Sequence, residues 1–331
     1  MLKIHFSAED ILRTRVAPGA DPLWELILSM HVLQVGRQDP LTSGWRRGVS
    51  RELRRHVGKE HLRLLFALNP GWGYFPDFLT PHDSVQGLEA GLDAVRSTPA
   101  PVLHRDLTRV VAENPLPPSA AALARGEPEM LRHLTESMEQ YRALALSPYW
   151  PRIQAAVEAD RTRRARSLLD RGIEGLLASL RPMARWESGV LEIHGYPNSR
   201  ELHLDGRGLL LVPSFFCAGV PVALLDPALP PVLVYPVDRL GGLAPAPGEG
   251  GATGSGREAL AALLGRTRAA VLEATGEGRT TGEVARRLHI SPAAASQHAT
   301  VLRNAGLLVS HRDRNTVLHT LTPLGRAILD A

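Results

Sequence analysis

This chain of 331 residues contains a single cysteine, Cys217. One cysteine excludes an internal disulfide and a metal centre built from several thiolates, and the absence of disulfides suits a reducing compartment. The sequence also lacks a run of 18 apolar residues and an N-terminal basic segment followed by an apolar one. We therefore expect neither a membrane-spanning helix nor a signal peptide, and predict a cytoplasmic protein with no membrane partner.

Motifs of the common enzyme classes are missing as well. The sequence contains no Gly-x-Ser-x-Gly nucleophile motif, no phosphate-binding loop ending in Gly-Lys-Ser/Thr, and no dinucleotide fingerprint placed after a strand. Cys217 lies in the apolar run LVPSFFCAGV, which favours an inert core residue over a redox switch. We therefore predict no catalytic residues and no enzymatic activity.

The histidines leave one alternative open. His104 and Asp106 lie two residues apart and other histidines stand at positions 133 and 194, which permits a metal or general-base site. Four more fall near the C-terminus, at positions 289, 298, 311 and 319, without nearby acidic partners. Structural histidines explain both groups more simply, so we predict no metal site and no cofactor.

A boundary divides the chain near residue 241. Residues 241–256 hold 7 glycines and 2 prolines in 16 positions, a composition typical of a flexible linker. We predict an α+β sensor or regulatory domain at 1–240, the linker at 241–256, and a DNA-binding domain at 257–331. A chain of this length has room for two or three compact units.

The first 240 residues change character along their length. From about residue 21 to residue 185 the apolar residues recur mostly at helical spacing, which predicts helices. From about 186 to 240 short apolar runs alternate with turn signals, which predicts a small antiparallel sheet. The segment LKIHF predicts a first strand that joins this sheet, followed by a helix capped by Ser7 with Asp10 in its third position. The longest helix should begin at Pro151 and carry arginines 161, 163, 164 and 166 on one polar side. This side faces either solvent or DNA, and solvent is the simpler expectation.

The segment 280–308, TTGEVARRLHISPAAASQHATVLRNAGLL, is the most informative stretch. Thr280 and Glu283 form a capping-box pattern, and Ser291 before Pro292 marks a second helix start. Three residues separate the two helices. Apolar stripes recur on each at helical spacing, Val284, Ala285 and Leu288 on the first and Ala295, Ala299 and Leu302 on the second. These features predict a helix-turn-helix.

The remaining face of the second helix is short, polar and nearly uncharged. Small residues with one amide let a helix backbone approach base edges in the major groove of DNA. Two strand-like runs follow, residues 307–310 and 316–321, and they flank the basic segment His311 to Asn315. This pattern predicts a hairpin wing that contacts phosphates.

These residues resemble the ArsR-type winged helix family of bacterial repressors, through SPAAASQHATVLRNAGLLVSHRD and the closing VLHTLTPLGRAILDA, over about the last 75 residues. Ser296, Gln297 and His298 match the family's Ser-Gln-His run. The family's usual Gly-Arg at the wing tip is replaced here by Arg314 and Asn315. The segments FSAEDILRTR and DGRGLLLVPSFF also resemble the uncharacterised N-terminal region of longer members, which implies no known activity.

The resemblance implies a homodimer that regulates transcription by binding double-stranded operator DNA. From the motif we predict as DNA-binding residues Thr280, Thr281, Ser291, Ala293, Ala294, Ser296, Gln297, His298, Thr300, Arg303, Arg312, Arg314 and Asn315. The family pairs through the first and last helices of this domain. Five apolar residues near the ends of this domain could either form dimer contacts or belong to the core of the domain itself: Leu260, Leu263, Leu264, Ile328 and Leu329.

Charge supports a nucleic-acid partner for the C-terminal region. Residues 257–331 contain 10 arginines and 6 acidic residues, whereas residues 1–256 contain 28 basic and 28 acidic residues. The whole formal excess of +4 therefore lies in the domain predicted to meet phosphate.

An aromatic segment, NPGWGYFPDF at 69–78, offers two readings. In the first reading the segment lines an effector pocket for a small molecule, with Trp72, Tyr74 and Phe75 as its lining residues. Concave ligand sites favour aromatic side chains on irregular backbone. In the other, the segment plugs the helical core. Two alternatives to a regulator also stay open, a protein-interaction adaptor and a ligand-modifying enzyme with a winged-helix module.

Overall fold

The computed structural model describes residues 1–35, 39–56, 62–71, 73–239, 243, 260–276, 278–313 and 316–329. The chain divides into two compact units, one formed by Met1–Asp39 with Trp45–Leu240 and the other by Pro40–Gly44 with Gly241–Ala331. Apart from Leu243, the predicted linker lies outside the described residues. Within the described part, no helix is both long enough and apolar enough to cross a membrane.

Helices and strands alternate unevenly along the chain, as the α+β prediction requires. The helices are α1 (Ala8–Arg13), α2 (Pro22–Gln34), α3 (Pro40–His56), α4 (Arg63–Leu68), α5 (Leu88–Arg96), α6 (Ala100–Glu113), α7 (Ala120–Ala124), α8 (Pro128–Ala145), α9 (Trp150–Ala178), α10 (Arg266–Ala274), α11 (Thr281–Leu288), α12 (Pro292–Asn304) and α13 (Pro323–Leu329). The strands are β1 (Leu2–His5), β2 (Arg15–Val16), β3 (Arg185–Glu187), β4 (Val190–Ile193), β5 (Arg200–His203), β6 (Leu210–Ser214), β7 (Val222–Ala223), β8 (Val232–Pro236), β9 (Arg279–Thr280), β10 (Leu308–Asp313) and β11 (Thr316–Leu321).

The strands of the first unit form two four-stranded sheets, ordered β3-β4-β1-β5 and β2-β6-β8-β7. The first strand joins the later ones, as expected. Pairing is mixed, however, because β1 runs parallel to β5, and β6 runs parallel to both β2 and β8. The expectation of one small antiparallel sheet was therefore wrong. Local alternation marks a strand but does not specify its neighbour or its direction.

Local signals placed the helix starts of this unit well. Ser7 and Asp10 form the expected capping box, and the side chain of Asp21 accepts hydrogen bonds from the first turn of α2. Helix α9 begins at Trp150 with a proline in its first turn, but it is not continuous. Arg171 and Gly172 leave helical geometry, with Gly172 at a φ of 64°, a conformation that glycine adopts at low cost. The chain therefore bends where one long helix was predicted.

The polar side of α9 also differs from the expectation. Arg164 is buried, and its guanidinium donates to both carboxylate oxygens of Asp160, which is itself fully buried. Tyr235 on β8 donates its hydroxyl to the same carboxylate at 2.7 Å. One face of the helix thus ties it to the second sheet through a buried ion pair instead of facing solvent along all four arginines.

Candidate nucleic-acid interface

The start of α11 is fixed by a reciprocal cap. The Thr280 hydroxyl accepts from the Glu283 backbone N–H at 3.4 Å, and the Thr280 backbone N–H donates to the Glu283 carboxylate at 2.8 Å. The backbone and side-chain hydrogen bonds from Thr280 lower the pKa of Glu283. The capping box predicted from spacing is confirmed, and it holds the first turn of α11 in a defined position.

The turn between α11 and α12 is closed by two features. His289 adopts a left-handed conformation with a φ of 53°, and the Ile290 N–H donates to the Ala285 carbonyl at 3.0 Å. Ser291 then caps α12, because its hydroxyl accepts from the Ala294 N–H at 3.1 Å. The left-handed residue reverses the chain within three residues, which brings the two helices together.

The buried stripes pack as the spacing predicted. Val284 and Ala285 on α11 and Ala295, Ala299 and Leu302 on α12 are each at most 4% exposed. They belong to one core cluster with residues of α10 and with Leu307 and Leu308. Alanine at the contacts lets the helix axes approach closely. The packing therefore fixes which face of α12 is left outside.

That outward face carries most of the predicted reading residues. Ala293, Ser296, Gln297 and Asn304 are exposed, with Thr300 and Ala294 partly so. Arg303 is also exposed, and His298 is half-buried on the flank. The face combines hydroxyl groups, one glutamine amide and small side chains. Such a surface offers hydrogen bonds to bases with little steric obstruction.

An antiparallel hairpin follows α12. Strands β10 and β11 pair from Leu308 with Leu321 to Asp313 with Thr316, and β9 adds a third strand beside β11. Arg312 and His311 lie exposed near the tip. Arg314 and Asn315, which the sequence placed at the tip, lie outside the described residues. The described part of the hairpin therefore presents Arg312 as its predicted phosphate contact.

His319 links the hairpin to the first helix, and sequence reasoning did not assign it this role. Its Nε2 lies 2.9 Å from the Thr281 hydroxyl, and its Nδ1 lies 2.8 Å from the Ser310 hydroxyl. The ring is 5% exposed, and burial, together with the charge of Arg303, lowers its pKa. A neutral ring with one donor and one acceptor nitrogen satisfies both contacts. The pairing of β11 with β10 places Ser310 beside His319, and its pairing with β9 brings the start of α11 to the same ring. The three residues are distant in sequence, so no local pattern predicts the contact.

The hydroxyl groups of three predicted DNA contacts make hydrogen bonds within the domain. The Thr281 hydroxyl is held by His319, and the Ser291 hydroxyl is used for capping. Both hydroxyl groups therefore make hydrogen bonds within the domain. The Thr280 hydroxyl is likewise engaged with Glu283. These three residues fix the positions of α11 and α12, while Ser296, Gln297 and Thr300 lie on the surface of α12.

The predicted dimer residues divide between surface and core. Leu264, Ile328 and Leu329 are partly buried against the domain's own core cluster, and Leu260 is 8% exposed. Leu263, by contrast, is 74% exposed. The intradomain alternative explains Leu264, Ile328 and Leu329, and Leu263 is the residue of this group that lies on the surface.

The aromatic segment at 69–78 is anchored in the first unit. Phe75 is 9% exposed and makes edge contacts with Trp24 and His31, at ring distances of 6.0 and 5.3 Å. Tyr74 lies beneath the Arg109 guanidinium at 5.9 Å. Trp72 lies outside the described residues. The packing of Phe75 is what the core-plug reading predicts, and the effector pocket stays a prediction.

Cys217, His104 and Asp106 are the remaining candidates that the structure places clearly. Cys217 is buried, and burial raises the pKa of its thiol to about 12, which suits an inert core position. His104 is exposed while Asp106 is fully buried and accepts from Arg105 at 3.0 Å. Two residues apart on a helix, these side chains point in different directions and do not form a joint site.

Comparison with known proteins agrees with this geometry in one region. Residues 263–311 match the family model described as a helix-turn-helix domain, a span that runs from before α10 into β10. No curated protein and no solved structure matches the chain. The chain therefore carries a helix-turn-helix domain in its C-terminal part.

Proposed function

We propose that this protein is a bacterial transcriptional regulator of the ArsR type that binds double-stranded operator DNA. The observation that carries the proposal is the outward face of α12. Its hydroxyl and amide groups are exposed on a helix that two caps and a tight turn hold in place. Second helices of helix-turn-helix domains enter the major groove in this way.

Each contact has an expected role. Gln297 reads adenine through N6 and N7, the bidentate pairing that a glutamine amide makes in the major groove. Ser296 and Thr300 add base or phosphate contacts. Arg312 and, from the sequence, Arg314 grip the DNA backbone beside the reading helix. The positive excess of residues 257–331 favours the encounter with DNA but does not select a sequence.

We further propose that the regulator acts as a homodimer. A single reading helix contacts only a few base pairs, so two-fold pairing doubles the recognised site, with half-sites about 34 Å apart. Leu263 is the described leucine that best suits such pairing, because it is apolar and exposed. The first unit then acts as the regulatory part, with a small molecule or a protein as its effector.

The test is fluorescence anisotropy of the full chain with its own upstream intergenic DNA and with a scrambled duplex, each over a salt series. We expect tight binding to the first and weaker, steeply salt-dependent binding to the second. Gln297→Ala should reduce the discrimination between the duplexes. Arg312→Ala should weaken binding to both and reduce the salt slope by about 1.

Arg125→Ala is the matched control for charge. Arg125 is exposed in the first unit and pairs with Glu127, so its loss removes one positive charge from outside the helix-turn-helix domain. We expect DNA binding by this variant to equal that of the unmodified chain. If Gln297→Ala and Arg312→Ala also leave binding unchanged, the assigned interface is wrong. If the unmodified chain ignores DNA at physiological salt, the adaptor and enzyme alternatives take its place.

A further inference from the structure

A group of potential metal ligands lies on the outer face of the first sheet, far along the chain from the helix-turn-helix. Strands β1 and β5 run parallel with His5 opposite His203 and Lys3 opposite Glu201. Ile4 and Leu202 face the core. Since side chains alternate along a strand, His5, Glu201 and His203 all project from the opposite face. The sequence alone could not show this, because 195 residues or more separate His5 from the other two.

The three side chains lie close together. Their potential ligand atoms all fall within 4.8 Å of one another, and His5 Nε2 is 3.4 Å from a Glu201 carboxylate oxygen. The two imidazole rings stack with centroids 4.4 Å apart and an interplanar angle of 9°. Glu201 and His203 on β5, with His5 on β1, therefore form a compact set of potential ligands: two imidazole nitrogens and one carboxylate.

One of these donor atoms is shielded from solvent without a hydrogen bond. His5 Nε2 is buried and makes no hydrogen bond to the described residues, and its nearest acidic neighbour is Glu201. Buried polar atoms are nearly always paired, so an unpaired ring nitrogen beside a carboxylate and a second imidazole needs an explanation. A bound cation between the three groups supplies one.

We propose that His5, Glu201 and His203 bind a divalent transition metal ion, with Zn²⁺ the first candidate. Imidazole nitrogen and carboxylate oxygen are the donors that zinc prefers, at about 2.0–2.2 Å. In a tetrahedral site such donors lie roughly 3.4 Å apart. Since the ligand atoms here lie within 4.8 Å of one another, no pair has to close by more than about 1.4 Å. Glu201 and His203 are exposed and free to rotate by that amount, while the strand pairing holds the backbone.

The positively charged side chains near His5, Glu201 and His203 make their contacts with other groups. Lys3 pairs with Glu192 at 3.5 Å. The guanidiniums of Arg200 and Arg207 donate to backbone carbonyls, including those of Leu224 and Pro227 at 2.8 and 2.6 Å. A cavity of about 480 Å³, lined in part by Glu201 and His203, opens beside the group. Solvent can therefore fill the coordination position that three protein ligands leave.

Metal binding has a structural consequence. The ion would join β1 to β5 and so bridge the N-terminal strand to a segment about 200 residues later. A ligand that binds only the folded state raises stability by mass action. We therefore expect Zn²⁺ to raise the melting temperature of the protein, independently of any effect on DNA.

The experiment uses tag-free, full-length protein dialysed against chelator, titrated with Zn²⁺ by calorimetry and with Co²⁺ by visible absorption. We expect a Co²⁺ spectrum with the intensity of a four-coordinate site. His203→Ala and Glu201→Gln should each weaken Zn²⁺ binding more than 10-fold and abolish the shift in melting temperature. His194→Ala is the control, because His194 is an exposed histidine just beyond β4 of the same sheet.

We expect His203→Ala and Glu201→Gln to fold as the unmodified protein does. His203 and Glu201 are exposed on an edge strand, and glutamine keeps the shape of glutamate. Binding that survives His203→Ala, binding that His194→Ala removes equally, or no Zn²⁺ uptake at tens of micromolar would each overturn the proposal. None of these outcomes bears on the helix-turn-helix, so the two hypotheses fail separately.

Discussion

The two units of this molecule bury polar groups in different ways. Among the described residues of the first unit six carboxylates are buried, those of Asp10, Asp21, Glu25, Asp77, Asp106 and Asp160. In the described part of the second unit the buried polar residues are Thr42, Thr275 and His319, and none of them is a carboxylate. The second unit is held by a core rich in alanine and leucine with short-range caps, whereas the first depends on acidic side chains that accept backbone and side-chain hydrogen bonds inside its core.

The buried carboxylates connect distant parts of the chain. Glu25 on α2 accepts from the backbone N–H groups of Phe215 and Phe216, at 2.7 and 3.0 Å, about 190 residues away. Asp77 accepts from Leu225 and Asp226. A carboxylate offers several acceptor sites, so it can satisfy N–H groups of a loop that no strand pairs. Buried carboxylates of the first unit therefore join segments about 150 to 190 residues apart, whereas the helix caps of the second unit join residues three apart.

The largest expected effect is that of Asp160→Ala in the first unit. The substitution leaves Arg164 buried without its carboxylate partner and also removes the acceptor of the Tyr235 hydroxyl. Loss of one partner of a buried ion pair costs about 3–5 kcal/mol of unfolding free energy. Urea unfolding of the full chain, followed by circular dichroism, measures it.

Glu158→Ala on the same helix is the control. Glu158 is exposed and pairs with Arg161 at 2.6 Å, and exposed pairs of this kind contribute about 0–1 kcal/mol. The difference between the two variants isolates the effect of burial. Equal losses for both would contradict the view that buried carboxylates hold this unit together.

Glu25→Gln should have the next largest effect. The amide replaces one carboxylate oxygen by a donor, which then faces the N–H group of Phe215 or Phe216. An unsatisfied buried donor costs about 1–3 kcal/mol. Unfolding free energies of the variant and the unmodified chain, compared at constant pH, measure this loss. A variant as stable as the parent would show that these hydrogen bonds do not matter.

The same pair of proteins tests a pH dependence. Burial raises the pKa of Glu25 to about 7, although hydrogen bonds from Phe215 and Phe216 oppose the shift. A raised pKa means that the folded state binds the proton more tightly than the unfolded state. The contribution of Glu25 is therefore full below its usual pKa, near 4.5, and is lost as the pH rises to about 7. The stability difference between parent and variant should shrink over this range, and parallel curves would sink the assignment.

The contrast between the units explains what the sequence could predict. The capping pairs Thr280 with Glu283 and Ser7 with Asp10, the cap at Ser291 and the two apolar stripes all involve residues at most a few positions apart. Such signals follow from helix geometry alone, so they place elements and faces correctly. Most of the reading surface of α12 could therefore be predicted before the structure was known.

Contacts between distant segments could not be predicted in this way. The parallel pairing of β1 with β5, the Glu25 contacts and the His319 bridge depend on which segments meet, and alternation within a segment does not encode its partner. The break at Arg171 and Gly172 was also missed, because an isolated glycine is tolerated within a helical pattern. Errors therefore concentrate in the first unit, where long-range contacts dominate.

The smallest expected effect belongs to the second unit, in His319→Ala. The substitution removes the partner of the Thr281 and Ser310 hydroxyls, and both lie where water can partly replace it. We expect a loss of about 1–2 kcal/mol, because each of the two hydrogen bonds contributes about 1 kcal/mol and water replaces part of it. Amide hydrogen exchange of residues 308–313 and 316–321 reports this loss locally, within the full-length protein.

His319 should also give the second unit a pH response opposite to that of Glu25. Burial, followed by the charge of Arg303, lowers the pKa of His319 below its usual 6.5, so the folded state favours the neutral ring. Its contribution is present above pH 6.5 and is lost as the pH falls from there towards the lowered value. Protection factors in the hairpin should therefore decrease between pH 7 and 5.5 in the parent and change less in His319→Ala. The same pH sensitivity in both proteins would mean that another group titrates, and the hairpin would then not depend on the neutral imidazole.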